Sequence, residues 1–341
     1  MRNRIYYYTS LLIVGIVAFS SQLKAQEYGI AFYNVENLFD IKDDPKTDDN
    51  EYTPTSDKKW TKERYDDKIA KLSLVIAKLN DEYAPDIIGL CEVENKTVLE
   101  RITKNSLLEY KLYKYTHFDS PDRRGIDVAL MYKSTRFKPY LSKVHKVTVE
   151  KEATRDILQV SGVLSSSDTL HILVTHFPSR YGGKQKTMSK RKVVAAKLRN
   201  VIDDILAKSP GANIVVMGDF NDEPFDLNIW ETLNARPHSF DLSPSQLFNP
   251  MGVLSHEGKG SYRYRDEWNM LDQIMLSRSL ADQSAKLHYK VNSVGVYDED
   301  FLKQKDDPKY ADYPFRTYVG TKYLGGYSDH FPVYLKLTVK K

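Results

Sequence analysis

Cysteine is all but missing from this chain. The only thiol, Cys91, has no partner, so no intramolecular disulfide staples the fold and stability must come from a buried core. With 341 residues, 41% of them hydrophobic, the chain can bury a large one. Long apolar runs are missing as well: beyond Phe19 nothing approaches the roughly 20 apolar residues of a membrane-spanning helix, and no span is expected. Glycine, serine and proline form no linker, and neither an internal repeat nor a low-complexity segment divides the sequence. One domain over residues 26–341 is therefore expected.

Residues 1–25 stand apart. Arg2 and Arg4 precede the apolar stretch Leu11 to Phe19, and Leu23-Lys24-Ala25 ends on a small residue before Gln26. That is the pattern of a secretory signal peptide cleaved after Ala25, which predicts a secreted or periplasmic mature protein, expected as a monomer. With no cysteine near the cleavage point, a lipid on cysteine is excluded. The formal charge of +4 falls to +1 once Arg2, Arg4 and Lys24 leave, so global charge selects no partner.

Local charge is uneven. Asp40 to Glu51 holds six acids and two lysines and reads as a solvated loop, whereas Arg180 to Arg199 holds eight basic residues and no acid. Strand-like apolar content marks Ile30 to Val35, Asp86 to Val93, Asp127 to Tyr132, Leu158 to Leu164, Leu170 to Thr175, Ile214 to Met217, Leu271 to Leu276 and Pro332 to Val339. Two helices fit between them. Tyr65, Ile69, Leu72, Ile76 and Leu79 share one face, with Thr61 placed as N-cap and Trp60 and Tyr65 as a hydrophobic staple. Val194, Leu198, Val201 and Ile205 repeat the spacing until Ser209-Pro210-Gly211 stops the helix.

Polar groups adjoin these strands repeatedly. Asn34 follows GIAFY, Glu92 follows DIIGLC, His176 follows LHILVT, Asp219 and Asn221 follow IVVM, Asp272 precedes QIMLS, and Asp329 and His330 precede FPVYLKL. Each would cost several kcal/mol if buried alone, so they are best placed together around water or a metal at one rim. Singly, Asp219 and Asn221 read as turn formers, His176 as a hydrogen-bonded core histidine, and Glu36 and Glu94 as solvated. Alternation puts Glu92 on the face of Ile88 and Leu90, which favours enclosure, and Cys91 with Ile87 and Gly89, as a small core residue.

In this order the set resembles the endonuclease/exonuclease/phosphatase superfamily, the deoxyribonuclease-I-like fold of magnesium-dependent phosphodiesterases and phosphatases. The carriers are FYNVENLFD, PDIIGLCEVEN, RRGIDVALMY, VTHFPSR, VVMGDFNDEP, SYRYRDEWNMLDQIMLS and YSDHFPV, which span nearly all of residues 26–341. The resemblance implies an α+β, four-layer α/β/β/α sandwich: two mixed β-sheets face to face, helices outside, and an active site at one rim. It implies Mg²⁺, with Mn²⁺ as a substitute, held by Asn34, Glu92 and Asp329, with Glu36 as an additional ligand. Asp219 would orient or deprotonate the water, Asn221 fix the phosphate or that water, Asp272 set the tautomer of His330, and His176 meet a phosphate oxygen or the leaving group. Either Asp219 or His330 fits the general base.

Arg124 and Arg180 are the expected substrate-binding residues, beside Arg123, Asp127 and the aromatics Tyr262, Tyr264 and Trp268. The expected activity is an extracytoplasmic endonuclease or phosphodiesterase acting on nucleic acid, with Arg180, Lys184, Lys186, Lys190 and Arg191 as a phosphate track or a solvated helix face. A phosphatase or phosphodiesterase for small or lipid-headgroup esters is the alternative, and a non-catalytic binding module the alternative of another class. A calcineurin-like metallophosphoesterase is set aside, because the eight histidines lack its ligand spacings.

Overall fold

Alternation along a strand gives every sheet two faces, and here both faces of both sheets are apolar. The computed structural model describes residues 26–81, 83–150, 152–305 and 307–340, and the expected leader lies outside them. In the first seven-stranded sheet, Gln26–Leu38 runs parallel to Ile87–Val93 and antiparallel to Val333–Val339. Asp127–Lys133 and Tyr113–His117 continue it on one side, while Leu287–Tyr289 and Gly295–Val296 both pair with Val333–Val339. The second, also seven-stranded, is ordered Ala235–Arg236, Leu247–Phe248, Asp272–Ser277, Ile214–Asp219, Thr169–His176, Ile157–Leu164, Phe137–His145.

Tyr28, Ile30, Phe32 and Cys91 of the first sheet meet Val160, Ile172, Val174 and Met217 of the second in a shared core, as expected for Cys91. Each fully buried aliphatic there contributes about 1.5–3 kcal/mol. Gly89 lets the sheets close, since a Cβ on it would stand 2.5 Å from Met217 Sδ. The opposite faces take helices. Tyr33, Val35, Ile88 and Leu90 pack under α1 (Lys62–Lys78) and α2 (Lys96–Thr103). Leu173, Ile214 and Val216 pack under α3 (Met188–Lys208). The result is the expected four-layer, deoxyribonuclease-I-like sandwich.

The expected strands and both expected helices are present within a few residues of their predicted ends. Trp60 and Tyr65 meet at 6.4 Å between ring centroids, forming the staple, although Thr61 at the N-cap makes no side-chain capping bond. Several strands escape the sequence reading, the longest of them at sheet edges. Tyr113–His117 and Phe137–His145 are edge strands, and the latter is largely exposed and carries Pro139 at a register shift. Edge strands bury little and so carry a weak apolar signal. Among the described residues no helix is long and apolar enough to cross a membrane.

Candidate active site

Three of the predicted residues stand abreast in the second sheet. Asp219 is in register with His176 on one neighbouring strand and with Asp272 on the other. Facing them across the rim, Asn34 ends the regular part of Gln26–Leu38 and donates from Nδ2 to Asp219 Oδ2 at 3.1 Å. His330, just before Val333–Val339, completes the group: its Nδ1 lies 2.6 Å from Asp272 Oδ2 and its Nε2 3.9 Å from Asp219 Oδ2. His176 Nε2 approaches the same Asp219 oxygen at 3.6 Å. All five side chains are buried.

Glu92 arrives by an irregularity. Strict alternation would turn it towards the helices with Ile88 and Leu90, but the pairing slips between Cys91 and Val93 and Glu92 adopts φ +61°. The bulge re-aims the carboxylate, so that Oε1 stands 3.9 Å from His176 Nε2 while Oε2 accepts the Asn37 N–H at 2.9 Å. Glu36 and Asn221 also take left-handed backbone, with φ of +51° and +47°. Such strain at three non-glycine residues of one rim marks a site that the surrounding fold over-determines.

Burial and neighbouring charge divide the protonation states. Burial pulls the His330 imidazole down, but Asp272, Asp219 and Asp329 together outweigh it and raise its pKa to about 10. Burial, then the positive charges of Arg155, Arg124 and His330, push His176 well below the ordinary histidine value. Burial and Asp272 lift Asp219 to about 7, against the opposing pull of His330. One rim therefore holds an imidazolium, a neutral imidazole and a carboxyl that titrates near neutrality.

The donor set suits a hard cation. Among the described residues Glu92 has no lysine or arginine partner and its Oε1 accepts no hydrogen bond. Asp219, Asp272 and His330 form one of two described groups of three whose atoms could hold a metal. Within it Asp272 and His330 Nδ1 already engage one another, which leaves Asp219 and His330 Nε2 facing the rim. Asp329 lies beside them but binds Arg316 Nη2 through Oδ2 at 2.5 Å, with Oδ1 4.0 Å from His330 Nε2. Glu36 is buried and accepts the Thr317 N–H at 2.7 Å, with Lys68 Nζ 3.9 Å away.

The expected substrate residues separate. Arg124 is partly exposed, and Asp122, 3.9 Å from its Nε, is the one acid within reach of it among the described residues. Arg180 turns inward: Nε donates to the Asn221 carbonyl and Nη1 to Asn269 Oδ1, both at 2.7 Å. It braces the loop that carries Asn221. Asp127 is buried against His117 at 2.9 Å, and exposed Arg123 pairs with Asp48 at 3.0 Å. Tyr262 lies against the His330 ring at 4.8 Å and Trp268 stacks on Phe331, while Tyr264 faces solvent.

Other residues carried no clear sequence signal. Buried Arg155 bonds Asp122 at 2.9 Å and the Phe177 carbonyl at 2.8 Å, tying the Arg124 loop to the His176 strand. In sequence it is one charge before a strand. Lys68 is buried and donates to Thr317 Oγ1 and the Tyr327 carbonyl, both at 2.6 Å. It lies on the apolar stripe of α1, and a lysine there was the available clue. His117, Asp119 and Asp127 form the second metal-capable group.

The comparisons agree with this construction. No curated protein matches the chain. Among solved structures it is similar to D. rerio TDP2 complexed with a single-strand DNA product, at TM-score 0.54 and 15% identity, covering 91% of this chain and 98% of that one. It is similar to the human Nocturnin catalytic domain with bound sulfate, at 0.51 and 18%, covering 92% and 95%. A mannosyl-6-phosphatase of Bacteroides thetaiotaomicron matches at 0.54 and 15%, covering 91% and 99%. At these identities the likeness is one of fold. A family model described as the endonuclease/exonuclease/phosphatase family matches residues 29–339, and with the rim of Asn34, Glu92, His176, Asp219, Asp272 and His330 it makes this chain a member of that family of phosphoester hydrolases.

Proposed function

We propose that this chain is an exported, metal-dependent hydrolase of compact phosphate esters. The observation that carries the reading is the buried row His176, Asp219 and Asp272, closed by His330 and faced by the carboxylate of Glu92, which has no lysine or arginine partner among the described residues. Glu92, Asn34 and Asp329 would hold Mg²⁺ or Mn²⁺, which offers positive charge to the phosphate oxygens. Asp219, poised near neutrality, takes a proton from water as the water oxygen bonds to phosphorus. His330 gives its Nε2 proton to the departing alkoxide as the ester P–O bond breaks, and the neutral His176 donates to a phosphate oxygen.

The basic run argues for a compact substrate. Arg191 is fully buried on Asp222, Lys184 pairs with Asp226 at 2.8 Å, Lys190 pairs with Glu150 at 2.7 Å, and Arg180 braces the Asn221 loop. Little of the run stays available to neutralise a polynucleotide backbone. Nucleic acid remains the second reading, favoured by the DNA product bound to the D. rerio relative. A panel of p-nitrophenyl phosphate, bis-p-nitrophenyl phosphate, DNA and RNA tests both. Small-ester turnover should vanish with EDTA and return with Mg²⁺ or Mn²⁺. Full turnover in metal-free buffer would overturn the mechanism, and turnover confined to DNA or RNA would overturn the substrate assignment.

A further inference from the structure

A half-exposed arginine stands on the Asp329 side of the rim, on a segment that is rigidly fastened. Glu36 accepts the backbone N–H groups of Thr317 and Tyr318, Lys68 holds Thr317 Oγ1 and the Tyr327 carbonyl, and the Gly326 N–H returns to the Arg316 carbonyl. Gly326 is obligatory there, because a Cβ would fall 2.0 Å from the Phe315 carbonyl oxygen. On this platform the Arg316 side chain is 39% exposed. Nη2 donates to Asp329, Nε is buried 3.8 Å from Glu36 Oε1, and Nη1 has no hydrogen-bond partner among the described residues. Tyr262, whose ring covers His330, carries a hydroxyl that is likewise without a protein partner among the described residues. The Tyr262 backbone pairs with His330, the residue that follows the Asp329 bound by Arg316.

We propose that Arg316 and Tyr262 form an anion subsite that grips the non-bridging oxygens of a terminal phosphate, making the enzyme select phosphate monoesters over diesters. This rests on the phosphoesterase reading and narrows its substrate class. A monoester is a dianion near neutral pH and a diester a monoanion, so a second cationic donor set favours the former. Arg124 supplies positive charge on the His176 side, since Asp122 serves both it and Arg155. Arg316 supplies it on the Asp329 side, with a planar fork of N–H groups matched to phosphate oxygens. Nη1, without a partner among the described residues, is the donor that such a ligand would satisfy, while Nε stays turned to Glu36. Pre-organisation by Glu36 and Lys68 lowers the ordering cost of binding.

The test compares the full chain with Arg316→Gln, Arg316→Lys and Tyr262→Phe. Arg316→Gln should lower kcat/KM for p-nitrophenyl phosphate at least tenfold more than for bis-p-nitrophenyl phosphate, mainly through KM. It should also raise the inhibition constant of inorganic phosphate about tenfold. Arg316→Lys should recover part of both, and Tyr262→Phe, which keeps the ring on His330, should show a smaller shift of the same sign. Mn²⁺ affinity, followed by calorimetry, separates this from structural damage: removing a cation beside carboxylates should leave it equal or tighter. Equal losses on both esters, or unchanged phosphate inhibition, would reject the subsite while leaving the phosphoesterase reading intact. If the parent hydrolyses neither ester, that reading fails, and calorimetry of inorganic phosphate decides the subsite alone: binding lost in Arg316→Gln sustains it, and equal binding rejects it.

Discussion

His330 sits between carboxylates, and that position decides what it can do. With Asp272, Asp219 and Asp329 holding its pKa at about 10, it stays protonated at neutral pH and serves as acid and positive charge. Asp219 at about 7 is the better match for the base. Asp219→Asn and His330→Ala should each lower kcat by about 10² to 10⁴ with the fold retained, as checked by circular dichroism. Wild-type turnover in either variant would remove that residue from the chemistry. The pH dependence has a definite sign. A raised carboxyl pKa means the base form is lost as pH falls through about 7, and a raised imidazole pKa means the acid form is lost as pH rises through about 10. The kcat/KM profile should be a bell, with an acid limb that moves below 7 when a cation is bound near Asp219. An acid limb that survives Asp219→Asn unchanged would assign it elsewhere.

At the scale of elements, the loop after Ile214–Asp219 is held to α3 by one buried ion pair. Arg191 Nε meets Asp222 Oδ1 at 2.6 Å, Nη1 and Nη2 donate to Thr187 Oγ1 and the Lys184 carbonyl, and Asn228 Nδ2 donates to the other Asp222 oxygen at 2.7 Å. Every charge is hydrogen-bonded, so the pair costs little while intact and much when halved. Arg191→Met should destabilise the protein by about 3–5 kcal/mol in urea unfolding. Arg191→Met with Asp222→Leu should recover a substantial part, because no charge is then left buried alone. If the single variant costs under about 1 kcal/mol, solvent reaches Asp222 and the burial argument fails.

Across the whole molecule, the basic segment that looks like a track in the sequence is largely neutralised by Glu150, Asp222, Glu223 and Asp226 once the chain is folded. Each phosphate contact in a true track steepens the fall of log affinity with log salt by roughly 0.9. Replacing Lys184, Lys186 and Lys190 with glutamate should therefore leave the salt slope of DNA binding close to that of the parent. It should also leave small-ester turnover unchanged. A slope flattened by roughly 2 or more would restore the track and the nucleic-acid reading.

Local physics made much of this legible in sequence. Apolar period and helix stops placed the central strands, α1 and α3, because those signals are written in neighbouring residues and buried elements carry them strongly. The residue types at the strand ends, Asn34, Glu92, His176, Asp219, Asp272 and His330, were visible for the same reason. Their assembly was not. The register that sets His176, Asp219 and Asp272 side by side joins strands far apart in the chain, and the slip that turns Glu92 out of alternation depends on its neighbour in the sheet. Pairing decided the charges too. Arg180, Lys184, Lys190 and Arg191 read as one basic run until folding brought each its acid or carbonyl, whereas Arg316, unremarkable in sequence, emerged with N–H groups unsatisfied. Composition and spacing determine which groups the rim holds, while long-range packing decides which of them remain free to meet a substrate.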